Sequence, residues 1–230
     1  MDDLLRSART MAHRQLLTPI VLIHIATIGL VTLMLFVFRR DGGYPVGLTL
    51  AAAFTIFGLL TECVPPPERN AGAATDSGMS ITMLFSLCVL LLLWTGHGDY
   101  RITTVQPWTK WGMITAGALF CCCGTTMRLC ARLALKRNFS YSLRIVRHQE
   151  LIASGIYRHV RHPAYTGTLF FLIGLVLLTG AYLGFPIFAV AIAVANRRIA
   201  HEERLLKEHF GEAHDRYVQD VPKKLFPFIY

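Results

Sequence analysis

The stretch that decides the fold is AYTGTLFFLIGLVLLTGAYLGFPIFAVAIAVA at 164–195, which contains no Asp, Glu, Lys or Arg. One helix of this length would overshoot the hydrocarbon core of a bilayer, which is about 30 Å thick. Gly180, Gly184 and Pro186 supply turn and helix-breaking signals near the middle of the stretch. The sequence therefore predicts a hairpin of two apolar helices.

Four further apolar runs precede the hairpin, and each is about as long as a membrane-spanning helix requires. They lie at 17–38, 45–63, 79–95 and 111–134. We therefore predict an all-α, polytopic membrane protein with about six transmembrane helices. Residues 1–110 would form three N-terminal spans. Residues 111–230 would form a core of the fourth span, a polar segment, the hairpin and a C-terminal helix.

The overall composition agrees with a membrane protein. The chain is 53% hydrophobic and 16% charged, with a mean hydropathy of +0.46, whereas soluble domains carry about 25% charged residues. A net charge of +9 would suit a nucleic-acid partner, but so apolar a chain has little surface for a groove that follows phosphates. We therefore expect no nucleic-acid partner.

The basic residues indicate the orientation of the chain in the membrane. Of the 23 Lys and Arg residues, 15 fall within 128–161 and 197–224. Because cytoplasmic flanks are enriched in Lys and Arg, both segments are predicted to be cytosolic. The hairpin tip between them carries no charge, as a translocated loop can. An integral, multi-pass protein with a cytosolic C-terminal unit follows from this pattern.

The six cysteines give no metal-binding pattern. None belongs to a CxxC pair or stands beside a histidine at ligand spacing. Cys121, Cys122 and Cys123 are consecutive, and consecutive helix positions face three directions, so they cannot present three thiolates to one ion. We expect packing roles for the cysteines and no metal site.

Two polar strings flank the hairpin. The first is GIYRHVRHPAYTG at 155–167, in which Pro163 suits the first turn of a helix and places His162 and Tyr165 at its N-terminus. The second is NRRIAHEE at 196–203, in which Arg198 and Glu202 are four residues apart and share a helix face. Their position alone allows either an exposed salt bridge or a functional pair. A solvated face is predicted for Glu203, Arg204, Lys207 and Glu208.

In this order, on either side of an apolar hairpin, the two strings resemble the isoprenylcysteine carboxyl methyltransferase family and its bacterial relatives. The resemblance covers about 124–230 and includes a late Val-Pro before Leu-Phe-Pro-Phe at 221–228. It implies a membrane methyltransferase that uses S-adenosylmethionine, bound by the C-terminal cytosolic unit. The implied partners are membrane lipids and a lipophilic or prenylated acceptor that enters from the bilayer and carries an isoprenylcysteine carboxylate.

The resemblance also assigns roles to individual residues. Arg198 would address the methyl acceptor and Glu202 would lie near the cofactor, so these two are the predicted catalytic residues. The predicted cofactor-binding residues are Gln149, Glu150, Leu151, Ile152, Tyr157, His162, Pro163, Ala164 and Tyr165. Gln149 stands where the family commonly has a histidine.

Three alternatives remain open from the sequence. The acceptor could be a phospholipid amine or a small thiol. An amine acceptor would not need Arg198 as a bidentate anion-binding group. A sterol-type membrane reductase that uses NADPH has a similar Arg-His-Pro-x-Tyr string, although the Arg-x-x-x-Glu-Glu helix argues against it. A transporter or assembly protein whose basic segments bind anionic headgroups is a non-enzymatic alternative.

Overall fold

The structure is a computed structural model that describes residues 25–29, 49–56, 86–92, 107–135, 150–180 and 183–225. Within these ranges every regular element is a helix, so the all-α prediction is confirmed for them. The short ranges 25–29, 49–56 and 86–92 are helical and fall inside the first three predicted spans. The rest of those spans lies outside the described residues, so the count of six spans and the topology stay predictions.

Five elements lie among the described residues of the C-terminal half. They are α1 (Pro107–Leu135), a 3₁₀ helix (Gly155–Arg158), α2 (Pro163–Thr179), α3 (Gly184–Phe210) and α4 (Glu212–Asp220). Residues 221–225, here called the strap, follow α4 without helical structure. Among the described residues, one helix, Trp111–Leu135, is long and apolar enough to cross a membrane by length and composition. It matches the predicted fourth span.

The predicted hairpin is confirmed. The helix α2 begins at Pro163, whose missing N–H costs nothing in a first turn. Its end is marked by Gly180, which has a φ of 64°, a left-handed conformation that glycine adopts without a steric penalty. The helix α3 then starts at Gly184 and continues unbroken from the apolar half into the polar half. Arg198 and Glu202 therefore lie on the same continuous helix as the second apolar leg.

One predicted boundary is wrong. The sequence predicts a single charged helix after Asn196 that continues to about Asp220, but the structure divides it at Gly211. Gly211 has a φ of 52° and a ψ of −125°. These angles lie outside the helical region, and glycine adopts them more readily than other residues. The break turns α4 away from the axis of α3 and allows the strap to reach the start of α2.

A seam of glycines joins α1 to α2. A Cβ atom built on Gly124 would lie 2.5 Å from the Gly167 carbonyl oxygen and 2.6 Å from the Phe171 nitrogen. A Cβ atom on Gly174 would lie 2.6 Å from the Cys121 sulfur. The two backbones are therefore closer than any side chain permits, as in the small-residue interfaces of membrane helices. This contact fixes α2, and with it the N-terminal residues that face the site.

The apolar core lies beside this seam. It brings α1 and α2 together with the helical ranges 49–56 and 86–92. Leu92, Leu175 and Val176 are among its fully buried members.

We predict that Gly124→Ala destabilises the protein, because the added methyl would collide with backbone atoms that cannot move without opening the seam. The expected loss is about 1–3 kcal/mol, the usual cost of overpacking, measured as a lower thermal midpoint in detergent. Gly112→Ala on the same helix is the control, since a Cβ atom added there would meet nothing within 4 Å, and alanine favours helix at that position. Equal thermal midpoints for the two variants would contradict the close approach of α1 and α2 at Gly124.

Candidate functional site

The Tyr165 hydroxyl joins the two legs of the hairpin at their polar ends. It accepts a hydrogen bond from the Arg198 Nε–H at 2.7 Å and donates one to the Glu202 carboxylate at 3.0 Å. Arg198 and Glu202 lie on one face of α3 because they are four residues apart. The structure thus brings together Tyr165 and both predicted catalytic residues, which sequence position alone could not establish.

The directions of these two hydrogen bonds determine which of the three side chains donates a proton and which accepts one. Because the Tyr165 oxygen accepts from Arg198, its own hydrogen points to Glu202, which accepts it as a carboxylate. The Tyr165 contact is made through Nε of the guanidinium, a planar cationic group whose N–H donors suit a carboxylate. The arrangement therefore pairs a cationic fork with a fixed negative charge.

Tyr157 adds a buried aromatic ring near the same carboxylate. Burial raises the pKa of its hydroxyl above the usual value, and the negative charge of Glu202 raises that pKa further, so the hydroxyl stays neutral. Its main-chain carbonyl accepts a hydrogen bond of 2.8 Å from the Tyr217 hydroxyl on α4. This buried contact anchors the 3₁₀ helix to α4.

Glu203 is not on a solvated face, and that prediction is wrong. Its side chain is 17% exposed, and its Oε1 atom lies 2.8 Å from Arg161 Nη2 and 3.3 Å from His162 Nε2. Its Oε2 atom lies 3.5 Å from Lys224 Nζ. Sequence reasoning missed this cluster because the strap that covers Glu203 comes from beyond α4. In the sequence itself, the pair of adjacent glutamates, Glu202 and Glu203, was the local feature that could have pointed to a second, buried carboxylate. Arg204, Lys207 and Glu208 are exposed, as predicted.

The charges of this cluster hold Glu203 ionised. Burial alone would raise the pKa of the Glu203 carboxyl, but the hydrogen bonds and electrostatic interactions with His162 and Arg161 outweigh burial and lower that pKa to about 2. Nearby on α4, burial lowers the pKa of the His214 imidazole, and the charges of Glu203 and Asp215 oppose this only in part. The neutral form of His214 is therefore favoured beside the cluster.

The strap runs across the start of α2. The amide of Arg161 donates to the Lys223 carbonyl, and the amide of His162 donates to the Lys224 carbonyl, both at 3.0 Å. The Arg161 Nη1 donates to the Val221 carbonyl at 2.6 Å, and the Thr166 hydroxyl donates to the Leu225 carbonyl at 2.5 Å. The two amide bonds give partners to main-chain N–H groups just before α2, which the helix itself does not satisfy.

The other predicted cofactor-binding residues that the structure describes lie just before α2 and in its first turn. Gln149 is outside the described residues. Glu150 is exposed and Leu151 and Ile152 are partly buried in the non-helical stretch before the 3₁₀ helix. Pro163 is buried and Ala164 partly buried in the first turn of α2. Among the described residues, no group of three or more His, Cys, Asp or Glu side chains is placed to hold a metal ion.

Comparisons with a family sequence pattern and with individual relatives point to the same family. The sequence pattern of the isoprenylcysteine carboxyl methyltransferase family matches residues 115–208. Protein-S-isoprenylcysteine O-methyltransferase A of Arabidopsis thaliana is 30% identical over 171 residues, which cover 70% of this chain and 82% of that protein. Protein-S-isoprenylcysteine O-methyltransferase B of the same plant is 33% identical over 126 residues, which cover 52% of this chain and 61% of that protein.

A solved structure gives a more distant match. The structure of a eukaryotic intramembrane Ras methyltransferase, isoprenylcysteine carboxyl methyltransferase, aligns with a TM-score of 0.47 at 17% identity, over 96% of this chain and 98% of that one.

We predict that the Glu203 cluster contributes stability that acid removes. Because the folded-state pKa is depressed to about 2, the contribution is complete above the usual pKa near 4.5 and is lost as the pH falls through about 2. A shift of this size corresponds to on the order of 3 kcal/mol. Glu203→Gln should therefore lower the thermal midpoint strongly at pH 6 and much less at pH 3.

The matched control is Glu212→Gln, which removes a carboxylate that is 92% exposed and should change neither midpoint. A deficit of Glu203→Gln that is the same at both pH values would contradict the electrostatic origin of the stability.

Proposed function

Because this chain belongs to the isoprenylcysteine carboxyl methyltransferase family, we propose that it transfers a methyl group from S-adenosylmethionine to a lipophilic acceptor. The acceptor group is a carboxylate of the isoprenylcysteine type. The observation that carries the proposal is the Tyr165 hydroxyl, which holds Arg198 and Glu202 together at the polar end of the hairpin. The family match removes the main reason to consider a sterol-type reductase.

Arg198 is the acceptor-binding group. A guanidinium binds a carboxylate through two parallel N–H donors, which fixes the plane of the carboxylate as well as its position. Tyr165 limits the rotation of the Arg198 side chain because it accepts from Nε at 2.7 Å. The fork is therefore oriented before the acceptor arrives, and less ordering is required on binding.

Glu202, Tyr157 and Tyr165 fit a sulfonium donor. A fixed carboxylate offers negative charge to a cation, and aromatic faces attract cations through their quadrupole. The Tyr157 hydroxyl is neutral, and burial raises its pKa further, so Tyr157 would attract the cation through the face of its ring. The remaining donor-binding residues in the proposal are those that the family resemblance assigns: Gln149, Glu150, Leu151, Ile152, His162, Pro163 and Ala164.

The chemistry requires alignment more than acid–base catalysis. S-adenosylmethionine, when bound, would supply an electrophilic methyl carbon to the acceptor carboxylate oxygen, and the electron pair of the broken carbon–sulfur bond would remain on sulfur. An ionised carboxylate needs no general base. The protein contributes by holding acceptor and donor in line and by excluding water, effects that lower a barrier through proximity and orientation.

The position of the site suits reactants of opposite polarity. Arg198 and Glu202 follow directly on the apolar half of α3, and Tyr165 opens the apolar α2. In the proposed membrane orientation, with this end at the cytosolic face, a lipophilic acceptor reaches Arg198 from the bilayer. The polar donor reaches Glu202 from the cytosol.

The test is a transfer assay with methyl-labelled S-adenosylmethionine and an N-acetylated S-prenyl cysteine in detergent micelles. Wild-type protein should label the acceptor. Arg198→Ala should abolish labelling, and Arg198→Lys should lower kcat/KM by about 100-fold, because an ammonium cannot reproduce the bidentate fork. Arg204→Lys is the control, since Arg204 is exposed on the same helix.

The same panel decides the class of acceptor. Labelling of a phospholipid amine rather than the prenyl cysteine, with Arg198→Lys fully active, would replace the carboxylate by an amine acceptor. An absence of labelled product from wild-type protein with either acceptor would overturn the proposed reaction.

We predict that Tyr165→Phe retains the fold but lowers kcat/KM by about 10- to 100-fold, because the variant loses the hydroxyl that orders both Arg198 and Glu202. Thermal midpoints should show that the protein stays folded. Wild-type turnover by this variant would show that Arg198 and Glu202 are oriented without the hydroxyl.

A further inference from the structure

Adjacent glutamates on α3 serve two different sets of partners. Glu202 accepts from Tyr165 at 3.0 Å, while Glu203 faces Arg161, His162 and Lys224. Consecutive helix positions point about 100° apart, so the two carboxylates diverge. Any effect of Glu203 on the proposed site must therefore act through other residues.

A continuous series of contacts leads from Glu203 to the proposed active site. The Glu203 carboxylate lies 3.3 Å from His162 Nε2. The His162 ring packs edge-on against the Tyr165 ring with centroids 5.9 Å apart, and the His162 carbonyl accepts the Tyr165 amide at 3.1 Å. The Tyr165 hydroxyl then contacts Arg198 and Glu202. Each step is a direct contact.

The strap closes the same arrangement from the other side. Its Lys224 side chain approaches the second oxygen of Glu203, while its carbonyls accept the amides of Arg161 and His162. Arg161 contacts both Glu203 and the strap carbonyl of Val221. The start of α2 is thus held between α3 and the strap, with Glu203 at the centre of the charged contacts.

From this geometry we infer that Glu203 is a positioning residue, which clamps the Arg161–His162 segment and the strap onto α3 and so places the Tyr165 hydroxyl between Arg198 and Glu202. Its effect on turnover rests on the proposed methyl transfer. The contacts by which Glu203 holds the Arg161–His162 segment and the strap do not depend on that reaction, because they are present in the folded chain alone.

The experiment measures amide hydrogen exchange and methyl transfer on the same full-length variants. In Glu203→Gln, exchange at the Arg161 and His162 amides should accelerate by about tenfold or more, since local opening now exposes them. The apolar part of α2 should keep its protection. The kcat should fall by about tenfold or more and KM for the acceptor should rise, because a displaced Tyr165 hydroxyl no longer orients the Arg198 fork before the acceptor binds.

Glu202→Gln separates the two carboxylates. It should abolish transfer and leave exchange at the Arg161 and His162 amides unchanged, because its partner is the Tyr165 hydroxyl. Glu208→Gln, an exposed change of the same charge on the same helix, should alter neither quantity. Glu203→Asp keeps the charge and should recover part of the protection and part of the kcat.

Lys224→Gln provides a milder variant should Glu203→Gln unfold. Lys224 is 34% exposed, so its loss should raise exchange at the same two amides by a smaller factor with the fold intact. Unchanged hydrogen exchange at the Arg161 and His162 amides in both variants would show that Glu203 and Lys224 do not hold this segment against α3. Faster hydrogen exchange combined with a wild-type kcat would show that Glu203 does not position the Tyr165 hydroxyl for catalysis. An inactive wild-type protein would overturn the proposed function, while the exchange data still decide the clamp.

Discussion

The hydrogen bond of 3.0 Å between the Tyr165 hydroxyl and the Glu202 carboxylate joins residues that are 37 positions apart in the chain. It can form only if the apolar hairpin folds back on itself and returns α3 to the level at which α2 begins. The left-handed Gly180 and the start of α3 at Gly184 make that return possible. Arg198 shares the same hydroxyl, so the relative placement of all three groups follows from one geometric requirement.

The precision of that placement depends on the support behind α2. Helix α1 approaches α2 so closely at Gly124 and Gly174 that no side chain fits between the backbones. Groups carried by well-packed helices keep their geometry better than groups on loops. The seam therefore restrains the helix that carries Tyr165, and the strap restrains its first turn through the amides of Arg161 and His162.

Electrostatics divide the polar end of the hairpin into two parts. Glu203 lies against Arg161 and His162, whose contacts lower the pKa of its carboxyl to about 2, so this carboxylate serves the architecture. Glu202 contacts a neutral hydroxyl and stands beside the buried ring of Tyr157. A carboxylate in such surroundings can offer its charge to a cationic methyl donor. Neighbouring residues of the same type thus have separate functions because a helix turns about 100° per residue.

The sequence by itself determined the apolar hairpin, the helix start at Pro163 and the pairing of Arg198 with Glu202 on one face, because hydrophobic length, proline stereochemistry and helix periodicity are local properties. It also predicted the family, through two strings on either side of the hairpin. Only the tertiary structure placed Tyr165 between Arg198 and Glu202 and buried Glu203 beneath the strap. Those features depend on contacts between distant segments, and no local pattern specifies which distant segment will cover a given helix face.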